Sequence, residues 1–277
     1  MNRITSLCSV ATVAVFLRQP LAHGEVLVGS SGCGWQEFPT ELNNYSKVNR
    51  PFWDNPSRDA AKPSQGGPLN IGNFLTSPYR VKNDSKNPDI SIGLVSPQWW
   101  GSNGSHDSNF DRGMHFNRGD SVGSITAQLL LQASDNKKKD IVGWYNADNP
   151  SEMHEIWNGQ NADGREVTFT PSENWGFYMI TPKGVYYMDA SFNTIDVDHQ
   201  HFAIFMDPNS VPGGEIYYVG VEDMPAGTQP PEDIGDFNDF VFKFWSTVGG
   251  GGLPVPEPAS LMIIAAGTIG LLVRRRK

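Results

Sequence analysis

Phe240-Val241-Phe242-Lys243-Phe244-Trp245 alternates with a period of two. In an extended chain, successive side chains leave opposite faces. Phe240, Phe242 and Phe244 then form one apolar face, and Val241, Lys243 and Trp245 form the other. A helix would scatter the three phenylalanines around its circumference, so the segment reads as a half-buried strand rich in residues that favour sheets.

The same reading extends outward from this strand. Short runs of strand character occupy residues 89–95, 124–133, 140–146, 152–157, 166–170, 175–181, 185–189, 201–206 and 215–222. Turn formers separate them: Asn149-Pro150, Ala162-Asp163-Gly164, Pro182-Lys183-Gly184 and Pro212-Gly213-Gly214. The Pro-Lys-Gly turn between residues 178–181 and 185–187 predicts a hairpin. The 29 glycines and 20 prolines fit many turns, and neither an internal repeat nor a long amphipathic helix is visible. The expected fold is all-β, a single jelly-roll-like β-sandwich over residues 25–247.

Residues 29–88 and 96–120 are rich in Gly, Pro, Asn and Ser, which predicts long N-terminal loops. Trp35, Phe38, Phe52, Trp53, Trp99 and Trp100 are interspersed there. These rings have two readings. They cover the edges of the sandwich, or they form a platform on which sugar rings stack.

Both ends of the chain carry addressing features. Arg3 precedes an uncharged, weakly polar run over residues 4–17, and Ala22-His23-Gly24 offers a small-residue cleavage site. Residues 1–24 are therefore expected to be a signal peptide. At the other end, residues 248–255 read as a Gly/Pro linker whose glycines 249–252 form a flexible spacer. Pro254, Pro256 and Pro258 keep any helix from starting earlier. Residues 259–273 are uncharged and mostly apolar, and Arg274-Arg275-Arg276-Lys277 follows. Fifteen residues fall short of the roughly 20 that cross a bilayer, so a short transmembrane helix there needs bilayer thinning or snorkelling basic side chains. The tetrabasic end is expected to stay cytoplasmic.

This layout resembles the PEP-CTERM sorting signal of bacterial surface and secreted proteins, with Pro256, Glu257, Pro258, Arg274, Arg275 and Arg276 as its signal residues. The resemblance implies a sorting segment over residues 256–277. It also implies an exosortase-type enzyme as processing partner and transient anchoring in the inner membrane. The destination it implies is the cell envelope, the surface or the medium, in association with exopolysaccharide and biofilm.

Charge agrees with export. The 277 residues hold 21 Lys+Arg and 30 Asp+Glu, a net of −9. Arg3, Arg18, Arg274, Arg275, Arg276 and Lys277 lie outside residues 25–258 and no acid does, which leaves 15 bases against 30 acids, a net of −15. Such a body repels nucleic acid and anionic lipid and attracts cations. Cys8 falls in the expected signal, so Cys33 stands alone and forms no intrachain disulfide.

The acids concentrate in one place. Val219-Gly-Val-Glu222-Asp223-Met-Pro is followed by Gly235-Asp236-Phe-Asn238-Asp239-Phe-Val-Phe242. Glu222, Asp223, Glu232, Asp233, Asp236 and Asp239 place six carboxylates within 18 residues. The segment from about residue 201 to 245 resembles a bacterial extracellular domain family. That family's hallmark is a strand ending in Glu-Asp, an acidic loop, and Asp-x-Asn-Asp leading into the last strand. The resemblance implies an extracellular β-sandwich and no particular activity.

Crowded carboxylates repel one another unless they are spread apart or neutralised. Calcium takes six to eight oxygens at about 2.3–2.6 Å. Asp236, Asn238 and Asp239, joined by Asp223 or Asp233, are the candidate ligands, outside the EF-hand register. The other reading is that Asp236 and Asn238 cap turns while the remaining acids are solvated.

His199 and His201 share one face if extended, but no third transition-metal ligand follows by spacing. The sequence carries no nucleophile elbow, P-loop or His-Glu-x-x-His motif. The function expected is that of a non-catalytic surface or matrix protein, not an enzyme, that binds no nucleic acid. The alternatives are a carbohydrate-binding module built on the aromatic N-terminal half and a polysaccharide hydrolase using an acid pair.

Overall fold

The computed structural model describes residues 25–37, 51–53, 71–76, 92–102, 109–119, 122–132, 134, 136, 138–159, 166–210, 214–225 and 237–248. Among these, thirteen strands form in chain order: β1 (Val26–Val28), β2 (Gly34–Glu37), β3 (Gln98–Gly101), β4 (His115–Asn117), β5 (Val122–Gln132), β6 (Ile141–Asn146), β7 (Asn149–Asn158), β8 (Glu166–Phe169), β9 (Asn174–Ile180), β10 (Val185–Tyr187), β11 (Phe202–Met206), β12 (Ile216–Val221) and β13 (Phe240–Val248). One short helix, α1 (Ile71–Leu75), lies between β2 and β3.

The chain is mostly β, in two antiparallel sheets. One runs β1-β4-β9-β6-β7, with β10 paired to β9. The other runs β2-β3-β11-β12-β13-β5-β8. The expected hairpin forms around Pro182-Lys183-Gly184, with Val185 opposite Ile180 and Tyr187 opposite Tyr178.

Aromatic rings join the sheets face to face. Phe177 of β9 lies 4.8 Å from Phe242 and 5.3 Å from Phe244 of β13, and Phe116 of β4 lies 5.0 Å from Phe244. The face predicted from Phe240, Phe242 and Phe244 is thus the inner face, and all three are fully buried. Edge-to-face packing of this kind adds about 0.5–1.5 kcal/mol per pair beyond area burial.

The outer face of the second sheet is covered too. Phe52, Trp53 and α1 pack over Trp99, Ala203, Phe205, Tyr218 and Val241. This explains two sequence features. Phe202 and Ile204 face the inner core while Ala203 and Phe205 face the outer cluster, so β11 is apolar throughout. Trp100 and Trp99 likewise divide between the two faces.

The N-terminal third therefore departs from the expectation of long loops: β1 to β4 and α1 lie within residues 25–119. Asp111 fastens part of it. Its Oδ1 accepts the Gly113 N–H at 2.9 Å, and its Oδ2 accepts the Ser30 N–H and the Trp100 indole N–H, each at 2.9 Å. Two other expectations need correction. Asn149-Pro150 opens β7, and the turn lies one step earlier at Ala147-Asp148. Within residues 92–95 no strand forms, and Leu94 makes only an isolated bridge with Thr76.

Among the described residues no helix is long and apolar enough to cross a membrane. The expected signal peptide, linker, sorting residues Pro256, Glu257, Pro258, Arg274, Arg275 and Arg276, and short transmembrane helix lie outside the described residues.

Candidate functional site

Sheet register builds the site. Phe202 of β11 faces Val221 of β12, Val221 faces Phe240 of β13, and Phe240 faces Gln132 of β5. This row, apolar on its first three strands and ending at Gln132, crosses four strands at one end of the sheet. The chain continues beyond it in polar residues: His201 before β11, Glu222 and Asp223 after β12, Asn238 and Asp239 before β13, Ser134 after β5. Asp140 stands immediately before β6 of the opposite sheet and reaches the same place.

The carboxylates come together there, and all but the half-buried Asp239 are buried. Glu222, Asp223, Asn238 and Ser134 are buried, and Asp140 has an exposure of 0 %. One carboxylate oxygen from each of Glu222, Asp223 and Asp239 lies within 4.8 Å of the other two. Asp239 Oδ2 also accepts the backbone N–H of Asp223 at 2.7 Å. Ser134 Oγ lies 2.6 Å from Asp140 Oδ2 and 2.5 Å from Asp223 Oδ2, and Asn136 Nδ2 donates to the same Asp223 oxygen at 3.1 Å.

A serine hydroxyl carries one proton. It donates to only one of the two aspartates at a time, and the Asn136 amide supplies a second donor to Asp223. Burial is the largest influence on Asp140 and, with Asp223 adding to it, pushes its carboxyl up to about 6 against the opposing Ser134 bond. Asp140 Oδ1 is buried and has no hydrogen-bond partner among the described residues. Neither Asp140 nor Asp223 makes an ion pair with Lys or Arg among the described residues.

His201 braces the cluster from the side. Its Nδ1 lies 2.9 Å from the Glu222 carbonyl oxygen, and its Nε2 lies 3.0 Å from Asp196 Oδ2. The ring stacks on Tyr186 at 3.6 Å. His199 Nδ1 lies 2.8 Å from the other Asp196 oxygen. The two histidines thus converge on one carboxylate, and they do not form a metal-ligand group among the described residues.

Of the candidate ligands, the structure brings together Asp223 and Asp239, Asn238 is buried next to Asp239 in the chain, and Asp233 and Asp236 lie outside the described residues. Sequence reasoning missed Ser134, Asn136 and Asp140, which stand some 80 residues upstream. The available signal was positional, since Asp140 immediately precedes a strand as Asp239 does.

The aromatic platform fares differently. Phe52, Trp53, Trp99 and Trp100 are buried core residues, Trp35 is half-buried against Trp100 and Tyr217, and Phe38 lies outside the described residues.

Comparison with known families finds the PEP-CTERM protein-sorting motif over residues 254–277. No curated protein and no solved structure gives a match to the chain. The motif implies processing by exosortase, a membrane anchor at the C-terminus, and export to the cell envelope or surface.

Proposed function

We propose that this chain is an exported, non-catalytic protein of the cell surface or extracellular matrix, whose β-sandwich body over residues 25–247 is delivered by its C-terminal segment. The observation that carries this reading is the sorting motif at residues 254–277. Residues 1–24 serve as the export signal, and the glycines at 249–252 hold the sorting segment clear of the body. Exosortase acts at or near Pro256-Glu257-Pro258, while Arg274, Arg275 and Arg276 hold the tail on the cytoplasmic side until then. The body then resides with exopolysaccharide in a biofilm matrix.

Two structural observations support a structural rather than a sugar-handling role. The tryptophans best placed in sequence for a stacking platform are consumed by the core. Of the acids gathered at the strand ends, Asp140, Glu222 and Asp223 are buried, which closes them to a polysaccharide chain.

A version ending at Gly252, produced in the native host, tests the sorting role. Release of that version into the medium, with no processing at its C-terminal end, is expected. Its retention in the envelope would overturn the reading.

A further inference from the structure

We infer that the buried strand-end cluster is a binding site for one hard divalent cation, calcium by preference, held by Glu222, Asp223 and Asp239, with Asp140 and Ser134 completing its wall. Two observations converge on it. The three carboxylates offer oxygens within 4.8 Å of one another, a spacing that suits ligands about 2.3–2.6 Å from a common centre. Asp140 Oδ1 is a fully buried carboxylate oxygen with no hydrogen-bond partner among the described residues, on a side chain whose other oxygen is tied through Ser134 to Asp223.

The donor set selects the ion. All the converging atoms are oxygens, which disfavours zinc. They arise from the ends of two neighbouring strands, β12 and β13, with Asp140 of the opposite sheet reaching Asp223 through Ser134, which suits the adaptable coordination of calcium better than the tight octahedron of magnesium. A bound ion cross-links β12, β13 and, through Ser134 and Asp140, the ends of β5 and β6. The cost of burying the acids becomes binding energy released once the chain has been exported into a calcium-containing medium.

The test uses the full chain, stripped with chelator, returned to calcium-free buffer and titrated with calcium chloride while uptake is followed by equilibrium dialysis. Uptake of one calcium per chain is expected, with an affinity at least about tenfold weaker in Asp239→Asn. Absence of stoichiometric uptake by the unaltered chain would overturn the inference, as would undiminished affinity in Asp239→Asn. Circular dichroism checks that the variant keeps its sheet signal. If it does not, Glu222→Gln replaces it under the same two criteria.

Discussion

Glu25 is 2 % exposed, and its Oε2 accepts the Trp175 indole N–H at 2.8 Å. Oε1 has no hydrogen-bond partner among the described residues. Burial is the largest influence and pushes the carboxyl from 4.5 up to about 7, against the indole bond and the Arg118 charge. Between those values the folded chain keeps a proton that the unfolded chain has released. The contribution of Glu25 to stability is therefore complete below the unfolded value and is lost as pH rises through the folded one. The ceiling on that loss is about 3 kcal/mol. Glu25→Gln keeps an acceptor for Trp175 and cannot ionise, so urea unfolding at about pH 5 and about pH 8 should show the unaltered chain losing stability relative to the variant. An equal gap at both pH values would contradict this account.

At the scale of elements, β12 shows how closely the layers approach. A Cβ at Gly220 would lie 2.5 Å from the Phe237 carbonyl oxygen and 2.9 Å from Ile71 Cγ1. Phe237 is itself constrained: its φ is +51°, a left-handed conformation that a bulky residue rarely adopts, and its ring is fully buried. Its ring packs 5.4 Å from Phe52, which ties the acidic loop to the outer cluster. Gly220→Ala should therefore cost about 1–3 kcal/mol by forcing the loop and α1 off the sheet. A urea midpoint unchanged from the unaltered chain would contradict that contact.

Strand periodicity was legible wherever one face is buried and the other is half-exposed, as in β13. Nine of the ten expected runs became strands, and the described part of the tenth, residues 92–95, supplied only the bridge at Leu94. Legibility failed for β1 to β4 of the N-terminal third. Trp99-Trp100 carries no alternation because each ring serves a different core, and short strands such as β1 and β4 hold too few residues to show a period. The site was half legible for a related reason. Acids close together in sequence announce themselves, whereas Ser134 and Asp140 join the cluster only through sheet register and the packing of one sheet on the other.

For the whole molecule, the body and the tail answer different questions. The two sheets, joined by aromatic rings, make a scaffold that needs no disulfide, in keeping with the free thiol at Cys33. The residues that match the sorting motif, 254–277, lie outside the described residues. Their chemistry is that of an apolar segment stopped by four cations, and it does not depend on how the strands are arranged. An intact-mass measurement on protein recovered from the native host reads the sorting claim directly. The expected species is lighter than the 30.5 kDa full chain by the loss of residues 1–24 and of a C-terminal piece released near Pro256-Glu257-Pro258. A full-length 30.5 kDa species recovered from the cytosol, with both ends intact, would contradict it.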